Sequence, residues 1–200
     1  MALTRSTDPL VWIDCEMTGL DPTTDSILQI SCYITDARLT LLDPTGYHAT
    51  ITTSPSTLAA MSPWCTTTHT ASGLVAACQS PSSIPAPHAA AALLSYIQRY
   101  VPQPRVALLA GNSVHADRMF LARDPWAPVV EWLHYRILDV SAIKEGVRRW
   151  CGEGVLGGVP RKKGCHTAGE DVRESIEEGR YYMGLFEGLG RDGGGGGGGV

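Results

Sequence analysis

The sequence predicts an α/β fold, a mixed sheet flanked by helices. Three observations carry this. An N-terminal series of β-forming runs is joined by short connections, which makes an antiparallel meander. Val106 to Ala110 is short and wholly apolar, the mark of a strand buried on both faces, and it sits between two helical patterns. An amphipathic helix closes the order, and strands interleaved with helices give a layered α/β architecture.

Taken in order, Leu10 to Glu16 is an apolar run that reads as a buried strand near the sheet centre, with Gly19 as the turn signal beyond it. Pro22 to Asp25 is a loop by composition, and Ile27 to Thr35 is a second strand. Asp36-Ala37-Arg38 is short enough for a hairpin, with Leu39 to Leu42 as a third strand. Tyr47 to Thr52 extends that strand or adds another. Met61 to Leu74 is helical, with Ser62 as N-cap and Pro63 at the first helical position. Gln79 to Pro87 is a Ser/Pro-rich loop, and Ala89 to Tyr100 is an alanine-rich helix with Pro102 just past its end.

Beyond the buried strand, Gly111-Asn112-Ser113 turns the chain into a helix over Val114 to Arg123. A helix over Pro125 to Leu133 and a short strand over Ile137 to Val140 follow, and Ser141 caps a helix to Trp150. Cys151 to Gly164 holds five glycines and reads as a mobile loop. The last helix begins near Thr167, where Ala168, Val172, Ile176, Gly179 and Met183 share one face. The pattern ends at Gly184. The expectation is a single domain over residues 1–184 and a disordered glycine-rich tail over 185–200.

Two hundred residues suffice for one domain with a full core, and 44% hydrophobic and 18% charged residues are ordinary for a globular chain. No apolar run approaches the roughly 18 residues of a helical membrane span, and no membrane partner is expected. Met1 to Pro9 is too short and polar for a secretory signal. The six cysteines form no CxxC pair and read as reduced thiols of an intracellular protein, cytoplasmic or mitochondrial. A zinc site from Cys151, Cys165 and His166 lacks a fourth spaced ligand. The net charge is −4, and the one dense basic run is Arg161-Lys162-Lys163. A nucleic-acid substrate for such a chain is better short than a long duplex, which is gripped through many cationic phosphate contacts.

The chemistry is concentrated in Asp14-Cys15-Glu16. Side chains alternate along a strand, so both acids share a face. Two carboxylates there repel and lose hydration unless a cation sits between them, and hard oxygen donors suit Mg²⁺ or Mn²⁺. Asp117 falls on the first helical turn after the apolar strand, where sites in open α/β sheets form. His166 and Asp171 are five residues apart, about 140° around an ideal helix. They converge only if His166 precedes the helix on the glycine-rich loop. Taken singly, each of these residues also has an ordinary surface or capping role.

In order the acids give Asp-x-Glu, Asp117, then His-x4-Asp. This resembles the histidine-bearing branch of the DEDD 3′-to-5′ exonuclease superfamily and, within it, the oligoribonuclease family. The segments that carry the resemblance are WIDCEMTGLD (12–21), MSPWC (61–65), HTASGL (69–74), AGNSVHADRMFL (110–121), HYRILDVSAIKE (134–145), RRW (148–150), KKGCHTA (162–168) and DVRESIEEGRYY (171–182). They span nearly the whole chain.

The resemblance implies a ribonuclease H-like fold and hydrolysis of RNA of two to about five nucleotides to mononucleotides with two Mg²⁺ or Mn²⁺ ions. Asp14, Glu16, Asp117 and Asp171 match the metal ligands, and His166 matches the general base. It further implies that Leu20 wedges between two bases and Trp64 packs on one. Ser113 and Ser141 match contacts that cap the far phosphate, and Tyr135 and Arg136 match residues reaching the site from the partner of a homodimer. The alternatives are a DNA-directed or proofreading exonuclease of the same superfamily and a non-catalytic RNA-binding protein. The chain departs from the family at Gly169-Glu170, where Leu-Asp is common, and at Ile137, which replaces a polar residue. Tyr47 to Pro55 and Gln79 to Pro87 also match poorly.

Overall fold

The computed structural model describes residues 6–151, 153–161 and 168–192. The strands are β1 (Leu10–Met17), β2 (Ile27–Thr35), β3 (Tyr47–Thr50), β4 (Leu108–Gly111) and β5 (Ile137–Asp139), in sheet order β3-β2-β1-β4-β5. β1 pairs antiparallel with β2 and parallel with β4, and β4 pairs parallel with β5. The mixed sheet is therefore as expected, with β1 at the point where the pairing changes sense. The helices are α1 (Pro55–Ala59), α2 (Pro63–Ala71), α3 (Leu74–Cys78), α4 (Ala86–Tyr100), α5 (His115–Leu121), α6 (Ala127–Trp132), α7 (Val140–Trp150), α8 (Glu153–Leu156) and α9 (Ala168–Asp192).

Alternation along β1 builds the two core layers. Val11, Ile13 and Cys15 face one side and pack with Leu93 and Ile97 of α4 and Val129 of α6. Leu10 and Trp12 face the other side and pack with Val140 and Val147 of α7 and Val172 and Ile176 of α9. Trp12 is fully buried, and its indole N–H donates to Thr35 Oγ1 at 2.9 Å, so no polar group is stranded. The apolar stripe of α9 is buried from Ala168 through Gly179 as its spacing predicts, and Met183 is half-buried. A β-carbon on Gly179 would lie 3.1 Å from the Trp12 ring, so the glycine lets helix and sheet approach closely.

Several elements differ from the sequence reading. Leu39 to Leu42 is not a strand: Asp36 Oδ1 accepts the N–H groups of Arg38 and Thr40, and this turn curls the chain so that Leu39 takes φ 61°. One bridge, Thr35 to Leu41, remains, and the third strand is β3. α1 was readable from Ser54, whose side chain accepts from the Thr57 N–H, with Pro55 following. The helix from Pro63 stops at Ala71, and Gly73 at φ 79° resets the chain into α3. α7 is capped by Asp139, not by Ser141. The glycine-rich stretch contains α8. α9 runs past Gly184 to Asp192, and the glycine run from Gly193 lies outside the described residues. Cys15, Cys32, Cys65, Cys78 and Cys151 are free thiols, and Cys165 lies outside the described residues. Among the described residues, no helix is long and apolar enough to cross a membrane.

Candidate active site

The functional side chains gather where β1 ends. Asp14 and Glu16 project from the face covered by α9, and the register breaks between Glu16 and Met17. Bulges of this kind re-aim side chains at strand ends. Asp171 arrives from the first turn of α9. Asp14, Glu16 and Asp171 each offer a carboxylate oxygen, and these oxygens lie within 4.8 Å of one another. All three residues are half-buried.

Asp117 approaches from α5 and is buried, 5% exposed. Its Oδ1 accepts the Cys15 N–H at 2.9 Å, so it meets β1 between the two strand carboxylates. Burial pushes its carboxyl up to about 7; that hydrogen bond opposes the rise, and the Glu16 charge adds to it. His166 and its neighbours from Lys162 to Thr167 lie outside the described residues.

The exposed side chains have structural causes. Leu20 is 84% exposed at the rim of a loop, residues 18–25, that folds around Asp25. Asp25 accepts the Thr18 hydroxyl at 2.7 Å and the Asp21 N–H at 3.0 Å. Gly19 is needed there, since a β-carbon would meet the Asp25 carboxylate at 2.4 Å. Trp64 stands 67% exposed on the first turn of α2, where the Ser62 side chain accepts the Cys65 N–H at 3.2 Å.

Ser113 and Ser141 follow β4 and β5, at the same sheet end as the carboxylates. The Ser113 hydroxyl donates to Ser141 Oγ at 3.1 Å. Ser113 takes φ 52°, a costly conformation for serine that typically clusters at functional sites. Asp139 holds it, with Oδ1 accepting the N–H groups of Ser113 at 2.9 Å and Ser141 at 3.0 Å. The Ser141 hydroxyl donates in turn to Asn112 Oδ1 at 3.1 Å, and the Asn112 amide donates to Ser175 of α9 at 2.9 Å.

Tyr135 and Arg136 lie elsewhere. They precede β5 and form an exposed stack, with His134 4.5 Å from the Tyr135 ring centroid and Arg136 5.2 Å from it on the guanidinium carbon. β5 runs parallel to β4, and β4 to β1, with Ile137 level with Leu109 and hence with Val11. Asp14 is therefore roughly 10 Å further along the strands and roughly 10 Å across them, and Arg136 leaves β5 in the opposite direction. Within one chain these two residues do not join the carboxylates.

The family profile described as Exonuclease matches residues 11–178. The mitochondrial oligoribonuclease of Saccharomyces cerevisiae is 42% identical over 186 residues, which is 90% of this chain and 68% of the yeast protein. An oligoribonuclease of Vibrio parahaemolyticus is 43% identical over 173 residues, 86% of this chain and 92% of the bacterial one. The chain belongs to the oligoribonuclease family. The oligoribonuclease of a Mycobacterium species agrees, at 44% identity over 88% of this chain and 80% of its own.

Among solved structures, Escherichia coli exonuclease I in a single-stranded DNA complex superposes with a TM-score of 0.68 at 14% identity. It covers 93% of this chain, which spans only 43% of that protein. The apo form of exonuclease I gives a TM-score of 0.66 at 16% identity, with this chain spanning 44% of it. These likenesses give the oligoribonuclease chain a ribonuclease H-like fold. The hard oxygens of Asp14, Glu16 and Asp171, gathered on one side of β1, suit a divalent cation.

Sequence reasoning missed three supports of this oligoribonuclease site. Asp139 was readable as a helix cap. Asn112 stands in the turn after β4 with nothing local to mark it. His69, five residues after Trp64 on α2, is buried, 2% exposed; its Nε2 lies 2.9 Å from the Met17 carbonyl and its Nδ1 3.9 Å from Glu16. A carbonyl only accepts, so Nε2 carries the proton and fixes the ring beside Glu16.

Proposed function

We propose that this chain is a 3′-to-5′ exoribonuclease that reduces RNA of two to about five nucleotides to mononucleotides, working inside the cell, in cytoplasm or mitochondrion. The chain serves as one exonuclease domain, whose last helix carries it past the expected boundary at Gly184 to Asp192. The observation that carries the reading is the convergence of Asp14, Glu16 and Asp171 within 4.8 Å, in a chain of this family. The relatives' name supports RNA as the substrate.

Asp14, Glu16, Asp117 and Asp171 would hold two Mg²⁺ or Mn²⁺ ions. Bound there, the ions would supply positive charge for the scissile phosphate and its leaving 3′ oxygen and acidify the attacking water. His166 takes the proton from that water as a phosphorus–oxygen bond forms and the bond to the 3′ oxygen breaks. Asp117 keeps the strand carboxylates in place through the Cys15 N–H. Leu20 and Trp64, both exposed, separate and stack the bases without strong sequence preference.

Ser113 and Ser141 cap the far phosphate, with Arg136 binding it bidentately. Tyr135 and Arg136 come from a second copy of the chain, so each site is completed in trans. Their position at the far end of β5 supports this, since their own carboxylates are out of reach. An arginine supplied across an interface also explains how a chain of net charge −4 holds an anion.

The test compares turnover of an RNA dinucleotide, a long single-stranded RNA and a DNA dinucleotide at matched Mn²⁺. The dinucleotide RNA should be cleaved fastest. Preference for long RNA or for DNA would replace this reading with that of a general or DNA-directed exonuclease.

A further inference from the structure

We propose that His48 and Gly169 form a seat that fixes the first turn of α9 and so positions Asp171 against Asp14 and Glu16. The proposal rests on the function above only for the role of that carboxylate cluster.

Asp14, Ser31 and His48 stand side by side across β1, β2 and β3, since Asp14 pairs with Ser31 and Ser31 with His48. Directly opposed residues share a sheet face, so all three lie under α9. His48 is held at both ring nitrogens. Nε2 lies 3.1 Å from the Thr45 carbonyl, which can only accept, so Nε2 donates. In the neutral ring Nδ1 then accepts the Ser31 hydroxyl at 2.9 Å. The ring also meets Tyr33 edge-on, with centroids 5.3 Å apart. Tyr33 is clamped in turn by Arg173 of α9, whose Nε donates to its hydroxyl at 3.0 Å.

α9 begins directly over this ring. The Ala168 N–H donates to Gln29 Oε1 at 3.3 Å, so the first turn is tied to β2. At the next residue a β-carbon would lie 3.1 Å from His48 Cε1, 3.3 Å from Nδ1 and 3.7 Å from Ser31 Oγ. His48 thus occupies the volume that a side chain at position 169 would need. Its imidazole cannot swing away without giving up two hydrogen bonds. The glycine is matched to the histidine. Asp171 is two residues further on, and shifts of an ångström in a ligand matter at a catalytic cluster.

The test is a double-mutant cycle on the full chain with Gly169→Leu, His48→Ala and their combination. It reads Mn²⁺ affinity by calorimetry, melting temperature, and kcat and KM on an RNA dinucleotide. Gly169→Leu should weaken Mn²⁺ binding about tenfold and lower kcat more than it raises KM; adding His48→Ala should restore most of both losses. If leucine prevents folding, the same cycle with Gly169→Ala is read instead. A double variant no better than the glycine variant alone, or a glycine variant with native Mn²⁺ affinity, overturns the seat. If the wild type binds no Mn²⁺ and cleaves no RNA, the proposed function fails instead; coupling in the melting temperatures would then still report the His48–Gly169 pairing.

Discussion

Asp117 accepts the Cys15 backbone N–H at 2.9 Å, which ties α5 to the strand between Asp14 and Glu16. Its carboxyl is raised from 3.8 to about 7, by burial above all. The folded chain therefore binds this proton more tightly than the unfolded chain. Asp117 stabilises the metal-free protein fully below pH 3.8, and that contribution is lost as the pH rises through about 7. In chelator, the melting temperature of the wild type should fall more between about pH 5 and about pH 8 than that of Asp117→Asn. Parallel pH profiles would show that Asp117 does not govern this dependence.

Asp139 Oδ1 serves Ser113, Ser141 and the start of α7 together. Asp139→Ala should lose about 0.5–2 kcal/mol of stability, as for other lost helix caps. It should also raise KM for a 5′-phosphorylated dinucleotide, because Ser113 loses the contact that holds its backbone. An unchanged KM with lowered stability would confine Asp139 to capping.

His166→Ala should slow turnover roughly 10²–10⁴-fold while substrate binding changes little, because a general base acts in the transition state. The pH–rate profile should lose its ascending limb near neutrality. A variant with native kcat and raised KM would make His166 a binding residue.

Completion in trans can be tested by complementation. Chains carrying Arg136→Ala and chains carrying Asp14→Ala should each be impaired, the first by roughly 1.5–3 kcal/mol of lost charged hydrogen bonding. In a mixed dimer one site has both an intact carboxylate cluster and an intact Arg136 from its neighbour, so activity should return. Mixed dimers that stay inactive, or an active monomer by light scattering, would exclude the shared site.

Much of the site was legible because it depends on local pattern. Period-two alternation placed Asp14 and Glu16 on one face, and the apolar run before Asp117 placed that residue at a strand's carboxyl end. The apolar stripe gave the face of α9 that is buried from Ala168 to Gly179, with Met183 half-buried at its end. What escaped depends on distant partners. Nothing near Asn112 in sequence announces Ser141 or Ser175, and nothing near Gly169 announces His48. Leu39 has the composition of a strand, yet the Asp36 side chain takes the backbone N–H groups and turns the chain away. Ser141 follows a better cap, Asp139, which leaves its hydroxyl for Asn112 and Ser113.

The carboxylate cluster is tested most directly by a Mn²⁺ titration of dinucleotide cleavage with the wild type, Asp14→Ala and Asp171→Ala, each checked for native melting. Mononucleotide release by the wild type should rise with Mn²⁺ and vanish in chelator. Both variants should stay folded and lose at least about 10³-fold in turnover, since each removes a ligand from charge stabilisation worth several kcal/mol. Near-native turnover by either folded variant at saturating Mn²⁺, or wild-type cleavage that persists in chelator, would contradict a metal-binding role for the cluster.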